Sequence, residues 1–223
     1  MARPPARRLA PAPGGGACSA ERNAERPSEG GVAACRAAIQ RDSADADAYD
    51  GLAAGLAGLG RYEEALAAWR VFARLKPDDF GGHHNAGLML EFLQRFAESL
   101  PTFERALPLA ESVRDQQTAA WHIGVAHSHL GRPGEALRWF REAAALDSTD
   151  ASAWSYAGVM AVRMGRPGEA VSYWRRALGA DPDYFDKVQA GERTMFQRAL
   201  AAAGDQPPAR VERLGLVPAL RGK

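Results

Sequence analysis

From about residue 28 to residue 203, apolar residues recur every three or four positions, and no run of alternating strand residues interrupts them. The pattern predicts helices throughout this stretch. Residues 1–27 are rich in Pro, Gly, Ala and Arg without periodicity, and they predict a disordered tail. Gly204, Pro207 and Pro208 end the helical pattern, leaving 204–223 as a flexible tail.

One phrase recurs inside the helical stretch. GRPGEALRWF begins at Gly131 and GRPGEAVSYW at Gly165, while GRYEEALAAW from Gly60 and QRFAESLPTF from Gln94 are weaker copies. The starts are 34, 37 and 34 residues apart, a spacing that marks stacked repeats. Every copy ends in a bulky aromatic: Trp69, Phe103, Phe140 or Trp174. Four residues earlier stand Ala65, Ser99, Ala136 and Ala170, and three residues later Phe72, Ala106, Ala143 and Ala177. These spacings lie on one helical face, where small residues let helices approach and the aromatic fills the gap. A second set in phase lies upstream, at Ala53, Gly87, Gly124 and Gly158. Each repeat thus reads as helix A, a tight turn at Gly60, Gln94, Gly131 or Gly165, then helix B. Pro133 and Pro167 open helix B, where a missing N–H costs nothing, and Pro77 and Pro182 follow it.

The arrangement resembles the tetratricopeptide repeat, a helix–turn–helix unit with a small residue in helix A and an Ala and an aromatic in helix B. Four such repeats fall at 46–79, 80–113, 117–150 and 151–184. The resemblance implies an all-α, right-handed solenoid of stacked helix pairs with a C-terminal capping helix. A half repeat at 28–45 precedes them, with Cys35 and Ala38 each 34 residues before Trp69 and Phe72. Its helix A would fall in 12–27, whose composition argues against a helix. Asp183 is placed to N-cap the final helix, over 183–203, which gathers Phe185, Val188, Met195, Phe196, Ala199 and Leu200 on one side. The segment LAESVRDQQ ends the second repeat without the expected proline and predicts a longer junction there.

Charge narrows the choice of partner. With 28 basic and 27 acidic residues the formal net charge is +1, which argues against nucleic acid or an anionic membrane. No apolar run is long enough to span a bilayer. Of the two cysteines, Cys18 lies in the Gly/Pro-rich tail, with little to hold it near Cys35. A reduced, cytoplasmic protein is the expectation.

Reactive chemistry is sparse. The five histidines His83, His84, His122, His127 and His129 all fall in the helix A segments of the second and third repeats. No pair has the three- or four-residue spacing that lets two imidazoles on one helix share an ion. A metal- or cofactor-binding protein using these histidines is therefore the alternative rather than the main reading. No nucleophile elbow, P-loop, dinucleotide-binding glycine pattern or zinc-protease motif is present, so no catalytic residue, metal ligand or cofactor is assigned. Cys35 reads as a small buried thiol, and the pairs Glu63–Glu64 and Asp78–Asp79 as solvated charge at helix ends.

The resemblance also places the binding surface, since helix A lines the concave face in that family. Residues of helix A expected to face away from helix B are Asp50 and Ala54 in the first repeat, then His84, Leu88 and Phe92 in the second. The third contributes Trp121, Val125 and His129, and the fourth Ser155, Val159 and Arg163, with Asn85, His122 and Tyr156 flanking. His84, Leu88, Phe92, Trp121, Val125, His129, Tyr156 and Arg163 form the candidate groove, apolar enough to anchor a peptide. The expected function is a non-catalytic scaffold or adaptor for another protein. The alternatives are the histidine site, the targeting module of a larger enzyme system, and self-association through the incompletely covered first helix.

Overall fold

The computed structural model describes residues 18, 27–184 and 190–202. The expected tails, 1–27 and 204–223, lie outside these apart from Cys18 and Pro27, as do Phe185 and Val188 of the expected cap. Among the described residues all regular structure is helical. It falls into two compact units, dividing between Leu109 and Ala110.

The first unit holds α1 (Glu29–Arg41), α2 (Ala46–Gly58), α3 (Tyr62–Leu75), α4 (Phe80–Phe92) and α5 (Phe96–Ala106). Each packs on the next in sequence, and a 3₁₀ turn at Leu107–Leu109 closes the unit. In the second unit α6 (Val113–His129), α7 (Pro133–Leu146), α8 (Ala151–Arg163), α9 (Pro167–Ala180) and α10 (Ala190–Ala202) do the same. Phe196 of α10 lies edge-on to Trp174 of α9, with ring centroids 5.3 Å apart.

Short polar side chains start the helix A members. Asp45, Asp79, Ser112 and Asp150 each accept a backbone N–H of the first turn, satisfying a donor that the helix leaves open. Helix A ends the same way in all four repeats. The N–H of Arg61, Arg95, Arg132 and Arg166 reaches back to the carbonyl of Leu56, Leu90, His127 and Ala161, at 2.8–3.0 Å. This closure needs a left-handed residue just before the arginine. Gly60, Gly131 and Gly165 supply it with φ of 76°, 71° and 73°, and Gln94 does so with φ 57°.

The aromatic at the end of each repeated phrase is the centre of the packing. Phe103, Phe140 and Trp174 are fully buried, and each ring is pressed against a helix A glycine. A Cβ built on Gly87, Gly124 or Gly158 would lie 2.6, 2.9 or 2.8 Å from that ring. Ala53 takes the same place above Trp69 in the first repeat.

The repeat also carries an ionic pattern. Arg61 bonds Glu29 at 3.0 Å and Glu64 at 2.7 Å, and Arg36 bonds Glu64 at 2.9 Å. Advancing every residue by 34 gives Arg95 with Glu63 at 3.3 Å and Glu98 at 2.7 Å, and Arg70 with Glu98 at 3.2 Å. The arginine hydrogen bonds hold the Glu64 and Glu98 carboxyls below the usual carboxylate range. Glu63 and Glu64, expected to be merely solvated, are thus paired across neighbouring helices, though still largely exposed.

The cysteines overturn the sequence reading. Cys18 and Cys35 form a disulfide, with Cα atoms 4.7 Å apart. Both are buried, and Cys18 is itself helical. The aperiodic tail gave no hint of this, because the segment is held by one residue rather than by an apolar face. Gly51 of α2 leaves the room, since a Cβ there would lie 2.7 Å from the Cys18 carbonyl oxygen and 3.2 Å from the Cys35 sulfur. Cys35 is therefore no free thiol, and the ground for placing the chain in the cytoplasm falls away.

Two substitutions test these contacts by urea unfolding. Gly158→Ala forces a methyl into the pinned Trp174 ring and lowers stability by about 1–2 kcal/mol, despite alanine's better helix propensity. Gln94→Gly relieves a left-handed side chain and raises stability by about 0.5–1 kcal/mol.

Candidate protein-binding site

In the first unit, α4 carries His84, Leu88 and Phe92 at four-residue intervals, on one helical face. His84 stacks on Phe80 at 5.0 Å and meets the edge of Phe103 at 5.7 Å. Leu88 is half-buried against the core of the unit. Phe92 is 61% exposed and stacks on Tyr62 of α3, centroids 4.8 Å apart and planes 10° from parallel. The face therefore opens along the helix, from packed at His84 to bare at Phe92.

In the second unit, Trp121 of α6 is the hub. Its ring lies 5.0 Å from His122, 5.7 Å from Tyr156 and 6.3 Å from Phe140, and Tyr156 lies 5.2 Å from Phe140. Four rings from α6, α7 and α8 thus share one cluster. Tyr156, 38% exposed, is its outer member. Val125 and Val159 are half-buried on the core below. At the open end, His129 is exposed, and Arg163 donates to the Ser128 hydroxyl at 3.0 Å and its carbonyl oxygen at 3.4 Å.

Ser155 does not face outwards. It is fully buried and accepts the Trp174 indole N–H at 3.0 Å. The register explains this: the helix A residue 19 positions before the helix B aromatic sits over that aromatic. The same offset pairs His84 with Phe103 and Trp121 with Phe140. Sequence reasoning missed Tyr62, Phe80 and Ser128 as partners of the face. For Tyr62 the signal was its place in the repeated phrase, third, where Phe96 and two prolines also stand.

The histidines serve separate tasks. His83 is buried, and its Nε2 lies 3.0 Å from the Pro77 carbonyl oxygen, to which it donates. Among the described residues no three His, Cys, Asp or Glu side chains gather as a metal site, and no helix is long and apolar enough to cross a membrane.

The family model of the tetratricopeptide repeat matches residues 81–149, from within α4 to just past α7. The chain carries tetratricopeptide repeats. The repeat fold is shared with solved structures of low identity. A Pseudomonas aeruginosa pilF structure superposes with a TM-score of 0.69 at 16% identity, covering 84% of this chain and 81% of that one. MamA gives a TM-score of 0.66 at 16% identity, covering 71% and 91%. YrrB, described as a tetratricopeptide-repeat protein with an unusual peptide-binding site, gives 0.65 at 22% identity, covering 83% and 91%. In sequence, 86 residues are 29% identical to the Drosophila melanogaster protein O-mannosyl-transferase Tmtc3, which is 39% of this chain but 9% of that protein.

The tetratricopeptide helices predict a division of labour within the aromatic cluster, measurable by chemical denaturation. Trp121→Ala lowers stability by about 2–3 kcal/mol, because it removes the ring that the others lean on. Tyr156→Ala costs less than about 1 kcal/mol. Equal losses would show that Tyr156 is packing rather than surface.

Proposed function

We propose that this chain is a non-catalytic scaffold that holds a segment of another protein on the helix A faces of its repeats. The observation that carries the reading is the bare aromatic on each unit: Phe92 braced by Tyr62 in the first, Tyr156 braced by Trp121 and Phe140 in the second. An aromatic held rigid from beneath loses little side-chain freedom when it is covered, so it makes an efficient anchor. Leu88 and Val125 extend the apolar surface, and His84, His129 and Arg163 supply polar contacts at its edges. The description of YrrB as peptide-binding supports the same use of this fold.

A second reading is that the repeats serve an enzyme carried elsewhere, as its targeting module. The match to a transferase of which this stretch is 9% supports it. Both readings require a protein contact on the same faces.

Co-purification with mass spectrometry identifies the partner, and calorimetry then measures its affinity. Phe92→Ala with Tyr156→Ala weakens binding by about tenfold or more while circular dichroism stays unchanged. Unaltered affinity in that double variant rejects the helix A faces as the site.

A further inference from the structure

The first unit holds a cleft of about 580 Å³ between its first two repeats, and its polar walls differ from the aromatic surface just described. Asp47 and Asp50 reach it from α2, Trp69 and Lys76 from α3 and the residue that ends it, and Asp79 and Asn85 from the N-cap and body of α4. Three carboxylates face one ammonium there. Asp47 is exposed, whereas Asp50 is only 8% exposed, so one carboxylate guards the mouth and another lies deeper.

Trp69 gives the second observation. It is 5% exposed, and its indole N–H has no hydrogen-bond partner. An indole donor buried without an acceptor costs about 1–3 kcal/mol, so a native fold normally supplies one. The fourth repeat does: there the Trp174 N–H is satisfied by Ser155, 19 residues before it. In the first repeat that register position is Asp50, a wall of the cleft, and the bond is not made. The cleft therefore combines an unused donor with an excess of acidic groups. Asp79 spends one oxygen on capping α4 through Gly82, at 3.0 Å, and keeps the other for a ligand.

We propose that this cleft recognises an arginine in an extended segment of a partner protein. The guanidinium pairs with Asp47 and Asp50 in the forked geometry that carboxylates favour, and the segment's backbone carbonyl accepts the Trp69 N–H. Asn85 is placed to bond the backbone of the same segment. A glutamate in that position meets only like charge. The proposal rests on the scaffold reading and gives the bound segment a charge requirement, through residues that the Phe92 and Tyr156 variants leave untouched.

The test uses the full chain labelled with ¹⁵N and two blocked pentapeptides, Ac-Gly-Arg-Gly-Arg-Gly-NH₂ and its glutamate counterpart. Trp69→Phe assigns the Trp69 indole signal. The arginine peptide is expected to move that signal saturably, and the glutamate peptide to leave it in place. Asp47→Lys, at an exposed position that tolerates change, is expected to weaken arginine binding by about fivefold or more. Asp50→Asn, checked for folding by circular dichroism, weakens it likewise. No shift with the arginine peptide overturns the proposal, including the case where the chain's own Arg3, Arg7 or Arg8 already fills the cleft. Equal shifts with both peptides, or full affinity in Asp47→Lys, also overturn it. Loss of partner binding in the Phe92 and Tyr156 variant with no response to arginine would leave the scaffold reading standing and remove this one.

Discussion

The contact between a helix B aromatic and a helix A glycine sets the geometry of the repeats. With no Cβ at Gly87, Gly124 or Gly158, the ring lies flat against the neighbouring backbone, and the two axes are held at a distance no other residue permits. The helix pair then becomes a rigid block with little freedom to slide. Everything else is tuned around that block. The turn must return the chain at once, which accounts for the left-handed residue before each arginine. The helix A residue above the ring must also match it, hence His84, Trp121 and Ser155 over Phe103, Phe140 and Trp174.

That second demand shapes the candidate site. A helix A residue near the ring serves as foundation, while one a turn or two further along is free to meet a ligand. His84 and Trp121 belong to the first kind, Phe92 and His129 to the second. The surface that a partner would touch is therefore narrower than the helix face that builds it. Its aromatic members are bolstered by rings that have no other outlet.

Much of this was legible before any coordinates. Phase alone located the turns, the packed aromatics and the small residues beside them, because each repeat solves the same packing problem with similar side chains. What phase cannot show is which way a residue on a shared face points. Ser155 and Tyr156 are neighbours in sequence, yet one is sealed under an indole and the other is open. The arginine network was hidden for another reason. Its members, Glu29, Arg61, Arg36 and Glu64, come from two helices, and only their common advance by 34 residues betrays them. The disulfide had no periodic signal at all: one cysteine in an aperiodic tail met another through a gap left by Gly51.

That disulfide changes how the chain bears mechanical load. A pull on any residue before Cys18 passes through the bond straight to Cys35, midway along α1. The chain between the two cysteines carries no tension while the bond stands. Force then enters the first unit at its buried centre instead of peeling α1 from its frayed end. A tether attached at the amino terminus therefore has to shear the helix across its whole packed face, a far stiffer response than unzipping it turn by turn.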